Sequence, residues 1–212
     1  MKRFEIITET DARVLEVGST VELAPGGVVT PLARDTLAAR RVTVVATGVS
    51  DPHLPPDLAP VADVRRVVIG SDHSGVALKR ALVQHLRGRG LSVNDVGTDG
   101  PDPVDYPDIA ARVGLAVSRN EADAGIVIDG AGIGSAIAAN KIRGVRAAMC
   151  LDETTARYSR EHNGANVLAL GASLLPGTEA ACRIVDLWLG TPMREARYIR
   201  RLMKIRRLEE RP

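Results

Sequence analysis

Beyond residue 64 the apolar positions come in short unbroken runs: Val67–Gly70, Ser92–Val96, Gly125–Asp129, Arg146–Cys150 and Asn166–Leu170. Such runs predict strands covered on both faces, because a half-exposed strand alternates apolar and polar positions. Between and after them lie amphipathic stretches that predict helices: Ser74–Arg89, Pro107–Ser118, Ile133–Lys141, Glu153–Glu161, Gly177–Leu189 and Arg194–Glu210. Strands that alternate with helices pair in parallel, so the pattern predicts an α/β fold with a doubly wound five-stranded sheet.

Residues 1–48 read as a separate small α+β unit. Phe4–Ile7, Thr20–Leu23 and Val42–Val45 predict short strands, with a turn at Pro25-Gly26-Gly27. Thr30-Pro31 is an N-cap and first-turn pair that opens a helix running to Arg40. Residues 49–64 follow as a linker, since Pro52, Pro55, Pro56 and Pro60 exclude a regular helix or central strand. The division expected is therefore 1–48, a linker at 49–64, and a larger α/β domain at 65–212.

Composition narrows the function classes. With 45% hydrophobic and 25% charged residues in 212, the chain has the make-up of an ordinary globular protein rather than a disordered one. A net charge of +2 provides no strong field for nucleic acid, and five aromatic residues make no base-stacking platform. Two cysteines make neither a metal-ligand spacing nor a disulfide framework. No apolar run is long enough for a membrane span, and the start lacks a signal-peptide core, so a cytoplasmic location is expected.

In a parallel sheet the ligand sits at the carboxyl ends of the strands. There the sequence places Asp72-His73 after the first strand, Asp129 and the loop Gly130-Ala131-Gly132-Ile133-Gly134-Ser135 after the third, and Asp152 after the fourth. The helix after the fourth strand ends in His162-Asn163, which is assigned to the same edge. Glycines leading directly into a helix let backbone N–H groups approach an oxyanion. The same loop also suits a tight turn, and Asp72 suits an N-cap. A dinucleotide reading stays open, with Asp152 as the ribose-binding acid. In the basic last helix, Arg197 and Arg201 share one face and suit a phosphate, while Leu202 and Ile205 form a seam for a second subunit.

Gly70-Ser71-Asp72-His73-Ser74-Gly75, Asp105-Tyr106-Pro107, the 130–134 glycines with Ala138-Ala139-Asn140-Lys141, and Arg160-Glu161-His162-Asn163 with Asn166-Val167-Leu168 form one ordered set. The set resembles the ribose-5-phosphate isomerase B and galactose-6-phosphate isomerase family over roughly residues 66–208. The resemblance implies a Rossmann-like sheet, a homodimer or dimer of dimers with shared active sites, and cofactor-free, metal-free aldose–ketose interconversion of sugar phosphates. It makes Asp72, His73 and Tyr106 substrate contacts, His162 the ring-opening group with Asn163 beside it, and Arg197 and Arg201 the phosphate ligands from across the dimer. Gly130, Gly132, Gly134 and Ser135 fall in the loop that binds the enediolate oxygens.

Four positions depart from the family pattern: Asp129 stands where many members keep a cysteine base, Ser135 where others have glutamate, Ala131 for threonine and Ser173 for arginine. Asp129 is itself a carboxylate at the base position, and burial is expected to raise its pKa usefully. Residues 1–48 resemble N-terminal segments of bacterial microcompartment enzymes, which implies a shell or cargo partner. The rival to an active isomerase is a silent sugar-phosphate-binding or scaffold protein.

Overall fold

The structure is a computed structural model and describes residues 2–46, 60–61, 63–193 and 196–210. The chain forms two compact units, Met1–Leu58 with Arg194–Arg207, and Ala59–Met193 with Leu208–Pro212. Most of the expected linker at 49–64 lies outside the described residues. The last helix, expected with the second unit, falls mainly with the first.

The first unit runs β1 (Arg3–Ile7), α1 (Glu9–Val14), β2 (Thr20–Val29), α2 (Pro31–Ala39) and β3 (Thr43–Ala46). Its strands pair in parallel in the order β1-β2-β3. Ile7, Ala12, Leu15, Val21, Ala33 and Leu37 close a core between sheet and helices. Thr30 caps α2 as expected, accepting from Ala33 N at 3.4 Å. Helix α1 was not anticipated; its signal is Thr8 and Asp11, which cap each other's backbone N–H groups. The Pro25-Gly26-Gly27 turn needs correction, because β2 continues through it. The ladder with β1 jumps from Phe4↔Leu23 to Ile6↔Val28, so the glycines serve a bulge within one strand rather than a connection between two.

The second unit runs β4 (Arg66–Ser71), a 3₁₀ turn (His73–Gly75), α3 (Val76–Gly88), β5 (Ser92–Asp95), α4 (Tyr106–Ser118), β6 (Ala124–Asp129), α5 (Ile133–Ala139), β7 (Ala147–Met149), α6 (Glu153–Glu161), β8 (Val167–Gly171) and α7 (Thr178–Gly190). Helix α8 (Ala196–Glu209) follows. All five strands pair in parallel, in the order β5-β4-β6-β8-β7. Both faces are covered. Ile126 and Ile128 of β6 meet Leu82, Leu86, Ile184 and Trp188 from α3 and α7, while Val127 meets Ile109, Val113 and Val117 of α4. Burying each such side chain contributes about 1.5–3 kcal/mol, which is why the unbroken runs become the sheet's centre.

The strand order also fixes where a ligand can bind. From β4 the chain steps outward to β5 and then returns to β6 on the other side. Neighbouring strands whose connections leave in opposite directions open a crevice at their carboxyl ends. Asp72 and Asp129 sit there, directly after β4 and at the last position of β6. No helix among the described residues is long and apolar enough to cross a membrane.

Candidate active site

Asp129 is 4% exposed and closes the glycine loop onto itself. Its carboxylate accepts from the N–H groups of Ala131 at 2.8 Å, of Gly132, and of Ser135 at 2.9 Å. Desolvation pushes its pKa up, but the Ser135 hydroxyl and the Gly132, Ser135 and Ala131 N–H groups outweigh it, so the pKa falls below the usual aspartate value. The Ser135 hydroxyl is buried without a well-aligned partner, yet lies close enough to favour the ionised carboxylate. The expected upward shift is therefore corrected: burial acts as anticipated, but backbone donors dominate.

The same bonds narrow the expected oxyanion site. Three of the loop's N–H groups are directed at Asp129, leaving those of Gly130, Ile133 and Gly134 without an acceptor among the described residues.

One glycine of the loop is required by contact, and a second leaves room for a neighbouring ring. Gly132 has φ +77°, and a Cβ there would meet the backbone of Leu170 and Gly171 at 2.9 and 3.0 Å. A Cβ on Gly134 would lie 2.5–2.9 Å from the ring and hydroxyl of Tyr106. Tyr106, the first residue of α4 and 40% exposed, is thus seated on the loop. Gly134→Ala is expected to displace that exposed ring with little net change in stability, because alanine is also the better helix former by about 1 kcal/mol. A structure of the variant should show the Tyr106 ring moved off the loop; a ring in the same place would refute the seating.

Asp72 does cap a helix start, accepting from Ser74 N at 2.9 Å, Ser74 Oγ at 2.6 Å and Gly75 N at 3.3 Å. His73 follows it at the same edge, with Nδ1 accepting from Val104 N at 3.4 Å. A side chain added to Gly130 would approach Ser74 Oγ and Ser173 Oγ at 3.7 and 3.9 Å, so two hydroxyls flank the loop's first residue. Ser74 was not among the expected site residues, and only its place after Asp72-His73 could have marked it.

His162 and Asn163 do not join this edge. Helix α6 starts at the carboxyl end of β7 and, at about 1.5 Å per residue, travels back along the sheet. Ala165 N donates to Ser159 O, and Asn166 O accepts from Gly125 N near the start of β6. His162 therefore lies at the amino edge, on the order of 15–20 Å from Asp129 by strand length. The expectation that both pairs share one edge overlooked the return of the helix. His162 caps α6, with its ring stacked on Tyr158 at 4.6 Å and 16°, while Asn163 Nδ2 donates to Tyr158 O at 3.2 Å. Tyr158 was missed, although its position four residues before His162 is the signal for such a stack.

Asp152 is accounted for by capping: it accepts from Thr155 N at 2.7 Å. Arg197 lies on α8, but its side chain is outside the described part. Arg201 is exposed, with its guanidinium 5.6 Å from the Tyr198 ring centre. Of the expected seam, Leu202 is already buried within the chain and only Ile205 is exposed.

Comparison with known proteins identifies the family. The sequence pattern of the Ribose/Galactose Isomerase family matches residues 67–205. Ribose-5-phosphate isomerase B of Escherichia coli K12 is 43% identical over 148 residues, which cover 70% of this chain and 99% of that protein. The Clostridium thermocellum ribose-5-phosphate isomerase B structure superposes with a TM-score of 0.67 at 48% identity, covering 68% of this chain and 97% of that one. The Mycoplasma genitalium enzyme, solved with bound ribulose-5-phosphate, gives 0.67 at 38% identity over 69% of this chain and 97% of that one.

Proposed function

Because this chain belongs to the Ribose/Galactose Isomerase family, we propose a division of labour for the sugar-phosphate aldose–ketose isomerisation that it catalyses. The substrate is ribose 5-phosphate, in exchange with ribulose 5-phosphate, or a close relative. The observation that carries the reading is Asp129: an ionised carboxylate at the crevice between β4 and β6, fixed by three backbone donors.

The sugar enters as a ring. His162 takes the proton of the anomeric hydroxyl and returns a proton to the ring oxygen as the C1–O bond breaks, leaving an open-chain aldehyde. Asp129 then removes the C2 proton, and the electron pair moves through C2–C1 onto the carbonyl oxygen to form a cis-enediolate. A proton passes from O2 to O1, and Asp129 returns its proton to C1, giving the ketose. The loop donors left by Asp129, at Gly130, Ile133 and Gly134, face the developing negative charge. Asp72, His73 and Tyr106 hold the sugar, while Arg197 and Arg201 hold the phosphate so that binding energy fixes the reacting carbons.

Since His162 and Asp129 lie at opposite sheet edges of one chain, a complete site takes them from two chains. This supports a homodimer or dimer of dimers. Ile133 and Ile137, exposed by 54% and 58% one turn apart on α5, provide an apolar face beside the loop. Residues 65–193 carry the isomerase sheet, and the last helix, which clusters with the first unit, supplies the proposed phosphate-binding arginines. Residues 1–48 form an accessory unit with its own core, outside the family match, suited to a shell or cargo partner in a cytoplasmic microcompartment.

A panel of four- to six-carbon aldose phosphates, followed by ketose formation, tests the substrate assignment. The pentose 5-phosphate is expected to give the highest kcat/KM. Binding across the panel with no ketose from any member would instead identify a silent binding protein.

A further inference from the structure

Arg160 is fully buried, two residues before His162, and none of its partners among the described residues is a carboxylate. Its guanidinium donates to three carbonyls: Trp188 O at 3.1 Å, Ala165 O at 2.9 Å and Val61 O at 2.9 Å. It also lies 4.6 Å from the Trp188 ring centre, a cation–π distance. Burial lowers its pKa to about 10, with Arg146 adding a like charge, so it remains a cation at neutral pH.

Taking an unpaired cation out of water is costly, and packing alone would be met more cheaply by an apolar side chain. What an apolar side chain cannot do is tie three separate backbones in a fixed geometry. The three carbonyls come from the end of the proline-rich stretch, from the loop that follows His162-Asn163, and from α7. We infer that Arg160 is a positioning residue for His162, and that the chain just ahead of the isomerase domain, through Val61, is part of the hold. The buried Pro60 and Val64 fasten that segment on either side. The inference rests on the assignment of His162 to ring opening.

Ring opening can be separated from proton transfer by substrate. An aldopentose 5-phosphate closes into a furanose through O4, whereas in an aldotetrose 4-phosphate that oxygen is esterified and the chain stays open. In the full chain, Arg160→Lys keeps the charge but loses the fork. Its kcat/KM is expected to fall on the order of 10–100-fold with the pentose and less than about threefold with the tetrose. His162→Ala should show the same contrast more strongly. Equal losses on both substrates in Arg160→Lys, with the contrast kept in His162→Ala, overturn the inference. Loss of the contrast in His162→Ala overturns the ring-opening assignment beneath it. If Arg160→Lys does not fold, Trp188→Phe, which alters the guanidinium's seat but keeps an aromatic face, takes its place in the comparison: a loss confined to the pentose supports the inference, and equal losses overturn it.

Discussion

Asp129→Asn will lower kcat by about 10²–10⁴-fold while sugar-phosphate binding stays measurable. The loss has two sources that further variants separate. An amide cannot accept a carbon-bound proton, so the enediolate no longer forms. It also replaces one carboxylate oxygen by an NH₂ group, which turns a donor toward either the Ala131 and Gly132 N–H groups or that of Ser135. That mismatch costs about 1–3 kcal/mol and loosens the loop. Asp129→Cys removes the same hydrogen bonds but restores an acceptor. Part of the activity should return, rising with pH as the thiol ionises near its reference pKa of about 8.5. Equal inactivity of the Asn and Cys variants with an intact fold would make Asp129 only the organiser of the loop.

The lowered pKa of Asp129 fixes the sign of the pH effects. The folded value lies below 3.8, so the carboxylate is charged throughout the neutral range and contributes no acid limb to kcat there. Its contribution to stability is fully present above the unfolded value of about 3.9 and is lost as pH falls through the folded one. An acid limb of the wild-type rate between about pH 5 and 7 therefore belongs to a group other than Asp129. A carboxylate this stable is a weak base. In the proposed mechanism, donors on the carbonyl oxygen acidify C2–H and offset this weakness.

The sheet was legible because its strands are buried on both sides: Ile126–Ile128 and Val167–Leu170 leave no polar position for an alternative pattern. The loop and its ordered neighbours were legible because Gly132 answers a backbone contact and a positive φ that only glycine meets. Other features depend on three-dimensional placement. No pattern showed that the loop's own N–H groups would be claimed by Asp129, which reversed the expected pKa shift. The place of His162 followed from helix direction, a consequence of the fold rather than of any local motif. Arg160 enters the sequence reading only as the first residue of the His162-Asn163 set, and its three acceptors are separated from it by up to 99 positions along the chain. The Pro-Gly-Gly segment misled because the same residues serve turns and bulges alike.

A site that joins Asp129 of one chain to His162 of another can be rebuilt by mixing two inactive chains. Asp129→Asn and His162→Ala, each inactive or nearly so alone, are unfolded and refolded together in equal amounts. Half of the random dimers are then mixed, and each of those carries one intact site and one doubly defective site. The mixture is predicted to regain about a quarter of wild-type activity. A mixture that stays at the average of the two separate variants, although mixed dimers have formed, would contradict the shared site.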